Sequence, residues 1–264
     1  MRSRDGRGWG TVVGLGLATT ALSVFHPALL IFIPMALLLL ALPPRRVPLI
    51  AVAVAVLVFA FVRPAQDAFW YVERGWALVL GAWFLVAVVT LRRWGFFARA
   101  FTAVAATAVT AALLFVTDVQ RWLRLDWTVA RRLRNGAGDV ASLMGAGGKR
   151  DWGEQLAGAL YAATELQATL YPALLALASL AALAIAWWAY RRLAVQERRP
   201  FAPLREFRFR DELVWLLIAG ILLVLLPLGE GALRAGSNVL TFMGALYALR
   251  GVAVFLALAG APGP

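Results

Sequence analysis

Apolar runs of 15 to 22 residues alternate along the chain with short polar connections rich in arginine. A helix needs about 20 apolar residues to cross about 30 Å of hydrocarbon. We therefore predict eight transmembrane helices, some of them extended to the interface by Trp and Arg side chains at their ends. The predicted spans are Trp9–Phe25, Ala28–Leu42, Val47–Val62, Trp76–Leu91, Ala100–Thr117, Tyr171–Tyr190, Leu213–Leu228 and Val239–Gly260.

The composition supports this pattern. Hydrophobic residues make up 62% of the chain and charged residues 15%, and a soluble domain of this length cannot cover that much apolar surface. The composition therefore excludes a soluble enzyme, a disordered protein and a disulfide scaffold. We predict an all-α polytopic transmembrane helix bundle, with residues 1–264 forming a single integral membrane domain and one interfacial amphipathic helix within it.

The arginines predict the orientation in the membrane. Of 26 basic residues, only Lys149 is not an arginine, and the net charge is +12. With the N-terminus in the cytoplasm, fifteen arginines fall on the inner side and ten basic residues on the outer side. We therefore predict a bacterial cytoplasmic (inner) membrane protein with both termini inside. We expect the arginines to fix topology and contact anionic lipid, and expect no nucleic-acid partner.

The segment 118–151 is an exception to the excess of basic residues on the cytoplasmic side. Five predicted spans precede it, so its basic residues fall outside. Its first part, Asp118–Arg134, is amphipathic and predicts a helix lying flat in the interface. The apolar face would carry Val119, Trp122, Leu123, Ala130 and Leu133, and the basic face Arg121, Arg124, Arg131 and Arg132. A glycine-rich loop follows, with glycines at 136, 138, 145, 147 and 148.

Little in the chain suggests catalysis. Cysteine is absent and His26 is the only histidine, which excludes thiolate sites and most histidine chemistry. The string Gly136-Ala-Gly-Asp139 lies in a polar loop without a second intramembrane aspartate, and Gly148-Lys149 lacks the other residues of a phosphate loop. We therefore expect no enzyme activity, catalytic residue, cofactor or metal.

The candidate functional residues are polar side chains in apolar surroundings, where they are costly. The intramembrane candidates are Arg250, Glu165, Asn238, Tyr247 and Thr241. Arg250 lies near the middle of the last predicted span and needs compensation, for which Glu165 is our first choice. Glu230 and Glu73 are the alternatives. The pair would either stabilise the bundle or form part of a ligand or ion site.

The last third of the chain carries a resemblance. An aromatic and basic stretch, Pro200–Trp215, is followed by Gly236-Ser-Asn238, Leu246-Tyr247 and Gly251. Over Phe201–Val254 this resembles the YybS-like family of predicted bacterial membrane proteins, a domain of unknown function. That family is distantly similar to the S-components of energy-coupling-factor transporters. The resemblance implies a transporter-like fold but assigns no role to Asn238, Tyr247 or Gly251.

Two functions follow from these observations. The first is transporter-like binding of a small solute, by the chain alone or as one subunit of a larger system. The alternative is a non-catalytic scaffold or assembly subunit that binds membrane proteins through ridges of small residues and the basic segment Arg191–Arg210. A polar cavity containing Arg250 and Glu165 would favour the first function, and a dry ion pair in a filled bundle would favour the second.

Overall fold

The computed structural model describes residues 27–62, 68–116, 124, 126–135, 150–196, 207 and 209–259. All regular structure in these ranges is helical. The α-helices are α1 Pro27–Ala41, α2 Val47–Val62, α3 Ala68–Thr90, α4 Phe96–Val116, α5 residues 126–135, α6 Arg150–Tyr190, α7 Val214–Leu225 and α8 Glu230–Ala259. A π-helical turn, Arg191–Val195, extends α6, and a 3-10 turn, Asp211–Leu213, leads into α7.

Helix formation follows from the apolar runs, because hydrocarbon offers no hydrogen-bond partner and the backbone must satisfy itself. The ends of the helices follow from proline, glycine and charge. α1 ends just before Pro43 and Pro44, which cannot donate to a helix. α7 ends before Pro227 and before Gly229, whose φ of 95° lies in the left-handed region.

Four described segments are long and apolar enough to cross a membrane: Phe69–Thr90, Phe96–Leu114, Ala162–Val195 and Glu230–Phe255. Each overlaps one predicted span. Three further predicted spans correspond to the shorter helices α1, α2 and α7, which have 15, 16 and 12 residues. The remaining predicted span, Trp9–Phe25, lies outside the described residues. The described chain is therefore a helical membrane protein with four full-length candidate spans.

The helices pack around α1, which contacts α2, α3 and α6. α4 packs on α3 and α6, and the α7–α8 hairpin joins the bundle through contacts of α8 with α6. Leu30, Ile33, Phe84 and Leu183 are fully buried in the main core. The outer faces carry exposed large apolar side chains, such as Phe59 of α2 and Phe255 of α8, as expected for surfaces that meet lipid.

The described part of the predicted interfacial helix is α5, and much of its apolar face packs on the protein. Val129 and Leu133 are each only 2% exposed and belong to the main core. Trp127 points outward and is 60% exposed, with the guanidinium of Arg131 5.0 Å from its ring centre. α5 is therefore docked on the bundle by its apolar side. The predicted face residues 119, 121, 122 and 123 lie outside the described residues.

Candidate functional site

The central feature of the site is an interruption of the backbone ladder in α6. Pro172 has no N–H, so the carbonyl of Ala168 loses the donor that a regular helix would supply. The guanidinium of Arg234 on α8 donates to that carbonyl through Nη2 at 3.2 Å. A side chain of a neighbouring helix thus satisfies the backbone group that proline leaves open.

Asn238 bridges the next position of the same ladder. Its Oδ1 accepts a hydrogen bond from the backbone N–H of Ala173 at 2.9 Å, and its Nδ2 donates to the carbonyl of Thr169 at 2.8 Å. Nδ2 also donates to the carbonyl of Arg234 at 2.8 Å. The side-chain amide therefore stands between two backbone groups of α6 that would pair directly in a regular helix.

An ion pair ties α5 to this interruption. Asp126 accepts two hydrogen bonds from Arg234, one from Nη1 to Oδ2 at 3.1 Å and one from Nη2 to Oδ1. Both side chains are about one-third exposed. Two parallel bonds between a guanidinium and a carboxylate are the strongest geometry that this pair can adopt. Arg234 thereby connects α5, α6 and α8.

A cavity of about 350 Å³ opens beside the ion pair. Its wall comes mainly from apolar residues of α3, α4, α5 and α6, and includes Ala111, Val129 and Pro172 together with Asp126 and Arg234. Three of the polar side chains in the wall form hydrogen bonds elsewhere in the protein. Thr107 and Thr110 donate to carbonyls one turn earlier in α4, both at 2.8 Å, and Trp76 donates to Ser179 at 3.0 Å. The cavity is thus apolar with a charged pair at one edge.

A second ionic cluster holds α5 at its other end. Glu73 of α3 is 2% exposed and lies 3.9 Å from Nη2 of Arg132 and 4.0 Å from Nη1 of Arg74. Arg132 also lies over the ring of Phe69, at 4.7 Å. One carboxylate therefore serves two guanidiniums, and α5 has ionic contacts to both α3 and α8.

Of the predicted site residues, Asn238 lies at the interruption of α6. Arg250 lies toward the opposite end of α8, where Nη1 donates to Oδ1 of Asp211 at 2.8 Å and the guanidinium sits 5.1 Å from the ring centre of Phe209. The predicted pairing with Glu165 is wrong, because Arg250 lies level with the turn before α7 and Glu165 is exposed on α6. Asp211 is 86% exposed, so Arg250 reaches a solvated partner.

None of the five predicted residues lines the cavity, and the remaining two, Tyr247 and Thr241, lie elsewhere on α8. Tyr247 packs edge-on against Phe209, with ring centres 5.1 Å apart, in an aromatic cluster that also contains Phe97 and Phe207. Thr241 is partly buried on α8. The structure therefore separates the five candidates and brings Asn238 together with Arg234 and Pro172 instead.

The Arg250–Asp211 contact predicts a small effect on stability. Arg250→Gln and Asp211→Asn, alone or together, should each change the free energy of unfolding by about 0–1 kcal/mol, because exposed ion pairs contribute little. A double-mutant cycle in detergent, followed by thermal denaturation, measures this. A coupling several times larger would mean that the pair is shielded from water.

Sequence analysis missed Arg234, Asp126 and the use of Glu73. The available signal was a proline inside one apolar run together with two polar residues, Arg234 and Asn238, four positions apart just before the last apolar run. Residues four apart share a helix face, so two side chains can reach one interrupted helix together.

These features define a polytopic α-helical membrane protein: the helices are apolar and long enough to span, the outer surfaces are apolar, and polar side chains bond the backbone groups beside Pro172. The chain belongs to the family described as "Predicted membrane protein (DUF2232)", whose model matches residues 12–261. No curated protein and no solved structure matches the chain. The family match extends well beyond the stretch 201–254 that carried the resemblance.

Proposed function

We propose that the protein binds a small, mostly apolar solute in the cavity beside Pro172 and acts as a transporter-like component of the bacterial cytoplasmic membrane. The cavity at an interrupted helix is the observation that carries this proposal. Transporters commonly place their substrates beside irregular membrane helices, and the cavity here lies beside the proline of α6. In this proposal the protein does not catalyse a reaction.

The size and lining of the cavity suit such a solute. Its volume of about 350 Å³ is at the lower end of the range of about 300–1,000 Å³ for small-molecule sites. The wall is mainly apolar, so a solute would gain chiefly by filling space. The resemblance of the family to the S-components of energy-coupling-factor transporters is in keeping with this proposal.

The scaffold alternative loses part of its support. The ridges of small residues expected to bind a partner are largely used inside the chain, since Ala103, Thr107, Ala182 and Ala186 are buried. What remains for a partner is the basic segment Arg191–Arg210, of which 197–206 and 208 lie outside the described residues. Solute binding is therefore the function that the geometry supports best.

Filling the cavity should abolish binding of an apolar probe. We expect 1-octanol to raise the thermal unfolding midpoint of the protein in phosphatidylcholine nanodiscs, because a ligand of the native state stabilises it. Ala111→Trp should remove that rise, since Ala111 lies in the wall. Val109→Trp is the matched control, because Val109 is on the same helix and 58% exposed. Equal responses of wild type and Ala111→Trp would contradict the proposal.

The orientation is also part of the proposal: eight spans, both termini in the cytoplasm and residues 118–151 outside. The chain has no cysteine, so single engineered cysteines report the side directly. We expect an impermeant thiol reagent to label Ala137→Cys on intact cells and Gln196→Cys only after the membrane is opened. The reverse pattern at position 137 would mean that the span count before residue 118 is wrong by one.

A further inference from the structure

We infer that the solute is an amphiphilic anion, with one acidic group that binds Arg234 in place of Asp126 and an apolar body that fills the cavity. This rests on the proposed function, since it uses the same cavity. The inference adds to the proposed function a negative charge on the solute and names Arg234 as the residue that recognises this charge. The shared chemistry, one anionic group on an apolar chain, is found both in free carboxylic acids and in anionic lipids.

Arg234 is a fixed cation at the edge of the cavity. Its Nη2 donates to the carbonyl of Ala168, which has no helix donor because Pro172 follows four residues later. Its own carbonyl accepts a hydrogen bond from Asn238, which is itself bound to α6. The guanidinium thus remains held by α6 whether or not Asp126 is bound, and it lies in the cavity wall.

Asp126 shows how an acidic group would bind there. Its carboxylate takes both Nη atoms of Arg234 in the two-bond geometry that carboxylates and phosphates share. Asp126 belongs to α5, and its side chain is 38% exposed. A soluble or lipid-borne acid can therefore exchange with it by turning one side chain outward, without disturbing α6 or α8.

The charges at this end of the bundle favour an anion over a cation. Glu73 lies between two guanidiniums, those of Arg74 and Arg132, while Asp126 faces Arg234. The group that pairs with Arg234 must be negative, so an anion can replace Asp126 there, whereas a cation would be repelled by the guanidinium.

Octanoate and 1-octanol form the probe pair, because they share the same chain length and differ chiefly in charge. In phosphatidylcholine nanodiscs we expect octanoate to stabilise the protein at about one-tenth of the octanol concentration, a difference typical of one charge-assisted contact. Ala111→Trp should abolish both responses. If octanol stabilises and octanoate is no better, the inference about charge is overturned while the cavity proposal stands. If neither probe acts, the proposed function fails.

Two variants separate recognition from structure. Asp126→Asn removes the internal competitor, so it should lower the octanoate concentration needed for half the effect by severalfold and leave octanol unchanged. Arg234→Gln should remove the preference for octanoate. Since Arg234→Gln can also disturb folding, the Asp126→Asn result decides: a weaker octanoate response would overturn the inference. Arg131 is an exposed charge on α5, the helix that carries Asp126. Arg131→Gln should change neither response and controls for general electrostatic attraction.

A lipid arm identifies the source of the anion. The same measurements are repeated in phosphatidylglycerol nanodiscs without octanoate. If the unfolding midpoint is then higher than in phosphatidylcholine, and this rise disappears in Arg234→Gln but persists in Arg131→Gln, the site binds an anionic lipid headgroup. An unchanged midpoint, with octanoate still preferred, assigns it to a free acid. Both results support an anion at Arg234. The inference is overturned if phosphatidylglycerol shifts the midpoint equally in wild type, Arg234→Gln and Arg131→Gln and octanoate is not preferred to octanol.

Discussion

Asn238→Leu should lower the free energy of unfolding by about 2–4 kcal/mol, one of the two largest effects expected in this chain. The substitution removes the partners of the Ala173 N–H and the Thr169 carbonyl. The Ala173 N–H is part-buried and the Thr169 carbonyl lies at an exposed position. A backbone group left without a partner costs about 1–3 kcal/mol where water cannot take the partner's place, as in hydrocarbon. Reversible unfolding in detergent, followed by circular dichroism, measures the loss.

The cost should depend on Pro172. In Pro172→Ala, residue 172 again has an N–H for the Ala168 carbonyl, and α6 can close its ladder across the interruption. Ala173 and Thr169 can then pair with each other, so Asn238→Leu should cost less in this background than in the wild type. A double-mutant cycle gives the coupling directly. Additive losses would mean that Asn238 contributes by packing rather than by replacing backbone bonds.

Thr241→Val provides a control on the same helix. Thr241 is partly buried, three residues beyond Asn238, and the substitution is similar in size and also removes a polar group. We expect a change within about 0.5 kcal/mol, as for sites away from special features. A loss matching that of Asn238→Leu would point to a general sensitivity of α8 to apolar substitution.

The apolar runs were sufficient to predict the centres of the long helices but not their beginnings. α3 and α8 both start earlier than predicted, and the added turns contain Glu73, Arg74 and Arg234. Charges lower the hydropathy of a window, so a sequence rule ends the span there. In the folded chain these charges are paired with one another or with Arg132 and Asp126. Pairing across helices is a tertiary property that local hydropathy does not contain.

The candidate site was predictable only in part, for a similar reason. Asn238 stood out as a polar residue beside an apolar run, but Pro172 was not connected with it. Their contact depends on how α8 crosses α6, and the Arg234–Asp126 pair joins residues 108 positions apart. Arg250 was assigned the wrong partner because depth was judged from the predicted span, whereas α8 begins at Glu230 and places Arg250 beside Asp211.

Gly236→Leu should also destabilise the fold strongly, by separating α7 from α8. A Cβ at Gly236 would lie 2.8 Å from Cγ2 of Val224, 2.9 Å from the carbonyl oxygen of Gly220 and 2.9 Å from Cβ of Leu223. Because two of these three atoms belong to the backbone or are attached to it, rotation of a side chain cannot relieve the overlap. Overpacking of this kind typically costs about 1–3 kcal/mol, and the larger leucine side chain places the expected loss at the upper end.

Gly244→Leu is the matched substitution, since a Cβ at Gly244 meets nothing within 4 Å and the residue lies on the same helix. There leucine should be neutral or stabilising, because glycine is a poor helix former by about 1 kcal/mol and the outer surface of α8 is apolar. Thermal unfolding of both variants in the same detergent compares them directly. Equal losses at the two positions would show that α8 does not tolerate larger residues anywhere, and that the close contact at Gly236 is not what holds the α7–α8 hairpin together.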